Sequence, residues 1–180
     1  ELTQPFDQAD VSYFHPLMAV TERRLGFKPR FGAFDGSFDA HYIYEYFHRD
    51  GQTDLESAFA AVPLSKRGGH KKSFDKDGLP LCPAGLAMPL KYTFISKATL
   101  FEHERGRYFC PLVFPEPTGQ SCPIQHKNWP KGCITTLPTS IGARIRHQLD
   151  RDSDAYKHIY TQRTATERIN ALAKELGIER

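Results

Sequence analysis

Proline is distributed unevenly along this chain, and its distribution limits where regular helices can form. Nine of the 13 prolines, and all four cysteines, fall between residues 80 and 138. Proline lacks the backbone N–H that helices and central strands use, so such a segment favours short strands joined by turns. The stretches LKYTFISKATLF (90–101) and RYFCPLVF (107–114) alternate apolar and polar residues, as strands do. We therefore predict a β-rich insertion with no periodic helix at residues 66–150.

Helical and strand patterns alternate before this insertion. Apolar residues from Val11 to Leu25 follow helical spacing, and Gly26 is a suitable C-terminal stop. The run FKPRFGAF (27–34) then predicts a strand that ends at Asp35. In α/β sheets the carboxyl end of a strand is the usual place for ligand-binding and catalytic groups. Asp35 is therefore a candidate site residue.

The same alternation continues after Asp35. Asp39 is placed to cap a second helix, which gives it a structural role that Asp35 lacks, and FAAVPL (59–64) is a second strand candidate. A further helix is predicted to begin near Ser153. The pattern predicts an α/β fold. The expected parts are the first part of the core at 1–65, the insertion at 66–150 and a C-terminal core helix at 151–180.

Composition and charge set wider limits. With 39% apolar and 12% aromatic residues, the 180-residue chain can form one core and a small subdomain. Its net charge of +3 permits a nucleic-acid partner without requiring one.

Lys66 and Arg67, in the basic run KRGGHKK, are candidate phosphate contacts, with a solvated loop as the alternative. No apolar run approaches the roughly 18 residues of a membrane helix, so we expect a cytoplasmic protein without a membrane partner.

Four polar side chains form a stripe along the predicted C-terminal helix. Tyr160, Arg163, Glu167 and Lys174 are separated by two, three and six residues. At the roughly 100° per residue of an α-helix, all four project within one narrow sector. A solvated surface with an i,i+4 ion pair is the simpler interpretation. The opposite face carries apolar residues that we expect to pack against the sheet, namely Ile169, Leu172 and Leu176.

This stripe resembles the Tyr-Arg-Glu-Lys signature of bacterial insertion-sequence transposases with a DDE catalytic core. The segment GAFDGSFDAHYIYEYF (32–47) resembles that family's strand, Asp and helix segment, with Phe34-Asp35 where the family often has Ala-Asp. The run DGLPLCPAGLAMPL (77–90) looks like the Cys-Pro-containing insert of one branch. The resemblance covers most of residues 3–180 and implies an RNase H-like fold.

The resemblance also implies a metal-binding triad of two aspartates and one glutamate. Its second Asp is matched by Asp35 and its Glu by Glu167. Its first Asp, on the family's first strand, has no counterpart here. Because the chain also begins with Glu1 rather than Met, we expect a fragment or processed product that holds a partial RNase H-like core, with the first strands missing. Such a chain is expected to be inactive alone.

The chemistry explains why these residue types are needed. DNA cleavage and strand transfer require an activated oxygen nucleophile and a stabilised leaving oxygen, which two divalent ions about 3.5–4 Å apart can provide. Carboxylates such as Asp35 and Glu167 suit Mg²⁺, or Mn²⁺ in its place. Arg163 and Lys174 would hold DNA phosphates, and Tyr160 would donate to a phosphate or stack on a displaced base.

The expected partners are DNA, at the transposon ends and the target, and a second copy of the chain when assembled on DNA. The expected location is the nucleoid-associated bacterial cytoplasm. Two alternatives remain at this point: a non-catalytic, truncated DNA-binding or assembly remnant, and another RNase H-like nuclease such as a resolvase.

The four cysteines have no familiar zinc spacing. Cys82, Cys110, Cys122 and Cys133 are separated by 27, 11 and 10 residues, and the first three are each followed by proline. Buried free thiols are the simpler expectation, since disulfides are rare in the cytoplasm. A structural four-thiolate zinc site is the alternative. Either of two histidines could replace a thiol ligand, namely His103 or His126.

Overall fold

A computed structural model describes residues 9–65, 71–97, 101–125 and 131–177. The chain divides into a core unit, formed by Glu1–Gly69 with Leu149–Arg180, and a second unit, His70–Gln148. The helices are α1 (Phe14–Leu25), α2 (His41–Phe47), α3 (Ile141–Gln148) and α4 (Asp154–Glu175), with 3-10 helices at Asp10–Tyr13 and Gly36–Phe38. The strands are β1 (Phe31–Ala33), β2 (Phe59–Ala61), β3 (Leu90–Ser96), β4 (His103–Phe109) and β5 (Ile134–Pro138). Within the described ranges, no helix has both the length and the apolarity to cross a membrane.

The core unit is built on a parallel pair of strands. Strands β1 and β2 pair with Phe31 opposite Phe59 and Ala33 opposite Ala61. Helix α2 lies in the connection between them, as a parallel crossover requires. Helix α4 packs against both strands. The α/β class predicted from the alternating patterns is confirmed.

An aromatic cluster fills the interior of the core unit. Phe14 of α1, with Ile43 and Phe47 of α2, is fully buried. The Phe14 ring centroid lies 5.7 Å from that of Phe34 and 6.4 Å from that of Phe47, in edge-on or tilted arrangements that aromatic pairs prefer. A Cβ at Gly32 would lie 2.5 Å from both the Phe34 and Phe47 rings. Only glycine allows β1 to approach the cluster this closely.

The first helix ends where the sequence predicted, but the first strand is shorter than expected. Gly26 takes the left-handed conformation, with φ of 76°, directly after α1. The predicted strand at 27–34 is reduced to β1 because the residues before it pair elsewhere. The guanidinium of Arg49 donates to the carbonyl oxygens of Lys28 and Pro29, both at 2.8 Å, and proline has no N–H to offer a neighbouring strand.

The second unit contains an antiparallel sheet of order β3-β4-β5. Gly106 of β4 lies opposite Thr93 of β3 and Leu137 of β5. The prediction that residues 66–150 contain no helix was wrong, since α3 follows β5 directly. This helix begins after Pro138, the last proline of the rich segment, where the restriction on helix formation ends.

Candidate functional site at the edge of the core sheet

Asp35 lies two residues beyond the end of β1 and caps the 3-10 helix at Gly36–Phe38. Its Oδ1 accepts a hydrogen bond from the backbone N–H of Ser37 at 2.7 Å and another from the Ser37 hydroxyl. The hydroxyl hydrogen bond is the largest cause of a lowered pKa for the Asp35 carboxyl. Partial burial opposes the lowering, and the Ser37 N–H and the positive charge of Arg163 add to it. The surroundings of Asp35 therefore favour its ionised form.

The prediction that Asp39 caps α2 was wrong, and so was the expectation that Asp35 has no structural role. Asp39 does not cap α2, whose N-cap is Ala40 without a side-chain hydrogen bond. Its two oxygens instead accept from the Tyr44 hydroxyl at 2.7 Å and from the Ser65 backbone N–H at 2.6 Å. Asp35 is instead the residue that caps a helix, the 3-10 helix at Gly36–Phe38. The reason is the short side chain of aspartate, whose carboxylate most easily accepts a hydrogen bond from the backbone N–H two residues later.

Arg163 interacts with both predicted catalytic carboxylates. Its guanidinium forms an ion pair with Glu167, one helical turn later, with a distance of 2.8 Å between Nη2 and Oε1. The same positive charge acts on Asp35 and lowers the pKa of that carboxyl. The side chains of Arg163 and Glu167 are 36% and 56% exposed, so both remain accessible to a ligand. The structure thus brings Asp35 and Glu167 within electrostatic reach of one arginine.

The first turns of α4 pack against the core through the stripe side of the helix. Tyr156 is buried, with its ring stacked on Phe59 of β2 at 6.4 Å and on Tyr160 at 5.8 Å. One face of the half-buried Tyr160 ring is thereby covered. Lys174 is exposed in the last turn. DNA contacts by Tyr160 and Lys174 stay predictions, and Lys66 and Arg67 lie outside the described residues.

The prediction that the apolar face of α4 packs against the sheet was wrong. Ile169, Leu172 and Leu176 are 65%, 56% and 72% exposed. The reason is geometric: the 22 residues of α4 extend about 33 Å, whereas strands of three residues extend only about 10 Å. The strands can cover only the first turns of the helix.

A cavity of about 720 Å³ opens beside Asp39. Most of its lining comes from the segments that follow the carboxyl ends of β1 and β2, the edge at which open α/β sheets bind ligands, and Ala9 and Val11 before α1 complete it. The lining residues from these segments are Gly36, Ser37, Asp39, Pro63, Leu64 and Ser65. Sequence reasoning missed Ser37 and Ser65. The Asp-Gly-Ser order, typical of an Asp side chain bonding two residues ahead, was the available signal for Ser37.

Asp35 and Glu167 suit Mg²⁺ or Mn²⁺ in chemistry, because both offer the hard oxygen atoms that these ions prefer. They supply two donors. Among residues 9–65, 71–97, 101–125 and 131–177, no group of three or more His, Cys, Asp or Glu side chains is arranged to hold a metal ion. Asp35 and Glu167 are therefore candidate ligands, and the described residues group no third donor side chain with them.

The cysteines are free thiols in the second unit. Cys82, Cys110 and Cys122 are buried, and Cys133 is partly buried. Of the histidines considered as replacement ligands, His103 places its Nδ1 3.0 Å from the carbonyl oxygen of Phe101. His126 lies outside the described residues.

Comparison with known proteins identifies no relative. No protein-family profile, no curated protein and no solved structure matches the chain. The resemblance to DDE transposases therefore depends on the residues and spacings of this sequence.

Proposed function

We propose that this chain carries part of the catalytic core of a DDE transposase, with an RNase H-like fold, which cleaves DNA and joins the cut strands. The observation that carries the proposal is the position of Arg163. This residue is ion-paired with Glu167 and also acts electrostatically on Asp35. The two carboxylates of the resemblance thus share one cationic neighbour, although 131 residues separate them along the chain.

The surroundings of the carboxylates support this proposal. Asp35 follows a parallel strand and Glu167 lies on the helix that packs against that strand. The hydrogen bonds from Ser37, which lower the pKa of Asp35, favour its ionised form, the form in which a carboxylate binds a metal ion. After the Ser37 hydrogen bonds, the positive charge of Arg163 also contributes to the lowered pKa of Asp35, which is consistent with both carboxylates lying near this arginine.

Each residue has a distinct role in this proposal. Bound Mg²⁺ would activate the attacking oxygen and stabilise the leaving oxygen. Asp35 and Glu167 would contribute two of the oxygen ligands. Arg163, which balances their charge in the free protein, would turn its planar fork to a DNA phosphate. Lys174, three turns further along the same helix face, would hold a second phosphate as a point charge.

A non-catalytic DNA-binding remnant is the second candidate. One observation favours it: the described residues bring no third donor to Asp35 and Glu167. This candidate predicts DNA binding without cleavage, and an RNase H-like nuclease such as a resolvase predicts cleavage without joining. The same assay therefore separates all three functions.

The test is a cleavage and strand-transfer assay of the complete gene product with the terminal repeats of its own element and Mg²⁺. We expect Asp35→Asn and Glu167→Gln to abolish both reactions while DNA binding persists, because each loses a metal ligand but keeps its shape. Two exposed carboxylates of the core unit serve as matched controls. Asp150→Asn and Glu175→Gln should leave both reactions unchanged. Full activity of Asp35→Asn or Glu167→Gln would disprove the proposal.

Binding is measured on the same protein over a range of salt concentrations. Each phosphate contact that is lost should reduce the slope of log affinity against log salt by about one. We expect this reduction for both Arg163→Ala and Lys174→Ala, and no change for Arg24→Ala in the last turn of α1. Unchanged slopes for both variants would mean that Arg163 and Lys174 do not contact DNA phosphates.

A further inference from the structure

The four cysteines of the second unit meet in one cluster, although they are far apart in the sequence. Cys110 and Cys122 form a buried group with Leu112, and Cys133 packs against it. Two residues of the turn that Cys82 opens, Ala84 and Leu86, pack against the same group. The thiol of Cys133 also lies within electrostatic range of the thiols of Cys82, Cys110 and Cys122. All four thiols therefore lie in one region of the second unit.

Three of these cysteines open the same kind of turn. In each Cys-Pro segment, the cysteine carbonyl oxygen accepts a hydrogen bond from the backbone N–H three residues later. The donors are Gly85 for Cys82 at 2.8 Å, Val113 for Cys110 at 3.1 Å and Gln125 for Cys122 at 3.2 Å. Proline in the second position of such a turn fixes its φ at the required value. Each thiol is thus carried by a restrained backbone corner, which lowers the entropy cost of binding a ligand.

The fourth cysteine is held in place by a close backbone contact. Gly132 has φ of 79°, and a Cβ there would lie 2.7 Å from the Cβ of Cys110. The backbone N–H of Cys110 donates to the carbonyl oxygen of Cys133 at 2.9 Å. Only glycine permits this approach. The segment that leads into β5 is therefore fixed against the turn at Cys110.

The second unit also has reason to need a cross-link. Its sheet leaves β3 largely uncovered, with Tyr92, Phe94 and Ile95 between 39% and 55% exposed. Three of its buried side chains are cysteines, which contribute little apolar area as free thiols. Small units with thin cores are commonly stabilised by a metal ion or by disulfides. A link that joined the four cysteines would close long loops of the chain, because these residues are far apart in the sequence.

We propose that Cys82, Cys110, Cys122 and Cys133 bind one structural zinc ion as thiolates. Four sulfur ligands match the tetrahedral coordination of Zn²⁺, with Zn–S distances of about 2.3 Å, and leave no open position for catalysis. Four S–H protons pass to solvent as four Zn–S bonds form, and nothing is oxidised or reduced. No described donors already stand in a metal-holding arrangement, so the sulfur atoms must draw inward when the ion binds.

The test begins with the whole chain, produced in zinc-containing medium and purified under reducing conditions without a chelator. Elemental analysis and native mass spectrometry should find one zinc per chain. Replacement of zinc by Co²⁺ should give the intense visible bands of a tetrahedral site and the near-ultraviolet charge-transfer absorption of four thiolates. Full reactivity of all four thiols toward a thiol reagent, with no bound metal, would overturn the proposal. So would disulfide formation in the purified protein.

Substitutions then identify the ligands. Each of the four Cys→Ser changes should weaken zinc binding more than about a hundredfold in competition with a chromophoric chelator, since even residues that only support a ligand contribute 10–100-fold. Val113→Ala is the matched control, because Val113 packs against the same cluster and has no donor atom. It should retain zinc. Zinc retention by all four serine variants, or equal loss in Val113→Ala, would contradict the assignment. Zinc content is independent of DNA chemistry, so this result and that of the transposition assay are separable.

Discussion

At the scale of single residues, the conformation around Asp35 is determined by hydrogen bonds within three positions. The carboxylate accepts from both the N–H and the hydroxyl of Ser37, and the pKa of Asp35 is lowered as a result. Because the pKa of Asp35 is lower in the folded protein than in the unfolded chain, its ionised carboxylate stabilises the fold at pH values above the ordinary pKa of an aspartate. That stabilisation is lost as the pH falls through the folded-state pKa. The same hydrogen bonds fix the orientation of the Asp35 carboxylate.

We predict that Ser37→Ala raises the pKa of Asp35 part of the way toward its ordinary value. The variant removes the hydroxyl donor, the largest lowering cause, and keeps the backbone N–H. The measurement is an NMR titration of the Asp35 side-chain carboxyl carbon. Ser12→Ala is the control, because the Ser12 hydroxyl donates to the backbone carbonyl of Ala9. An Asp35 titration that is identical in Ser37→Ala and the unsubstituted protein would refute this account.

At the scale of elements, α4 packs by only one end and one face. Ser153 caps its start by accepting from the N–H of Tyr156 at 3.1 Å, and Tyr156 stacks on Phe59 of β2. Beyond the short strands the helix extends with Leu172 and its apolar neighbours exposed. The first turns of α4 are therefore packed against the core, and its last turns are largely exposed to solvent.

We predict that Tyr156→Ala destabilises the core unit by about 3–5 kcal/mol, as expected for loss of a buried aromatic ring. Leu172→Ala should change the free energy of unfolding by no more than about 0.5 kcal/mol, since the side chain is more than half exposed. Urea unfolding followed by far-ultraviolet circular dichroism measures both. Comparable losses in the two variants would mean that the apolar face of α4 is packed in solution.

At the scale of the whole molecule, the chain forms two units with different kinds of core. The core unit depends on aromatic packing around Phe14 and Phe47. The second unit combines an open three-stranded sheet with the cysteine cluster. A change in the cysteine cluster should therefore affect the second unit selectively.

We predict that removal of zinc with a chelator under reducing conditions accelerates hydrogen exchange at the cysteine turns and leaves the core unit unchanged. The reporters in the second unit are the amides of Cys82 and Cys110, which donate to Leu86 and Cys133. The control is the amide of Phe59, which donates to Arg30 in the core unit. Mass spectrometry or NMR follows the exchange. Equal acceleration at Phe59 would show that the two units do not respond separately.

The sequence by itself determined the features that depend on neighbours within a few positions. The stop of α1 at Gly26 and the start of α4 at Ser153 were both predictable, because caps and turns depend on local hydrogen bonds and on allowed φ values. The existence of β1 and β2 was also predictable from short apolar runs. The short length of β1 was not predictable, because the Arg49 side chain, some twenty residues away, donates hydrogen bonds to the carbonyl oxygens of Lys28 and Pro29 just before it.

Only the tertiary structure decided which distant residues meet. Periodicity identified two faces of α4 but could not show that only the first turns of its polar face pack against the core, because that depends on how far β1 and β2 extend. Spacing likewise gave no sign that Asp39 would bind the N–H of Ser65, or that the four cysteines would form one cluster. Contacts between residues far apart in the chain are set by the packing of whole elements, and no local pattern records that packing.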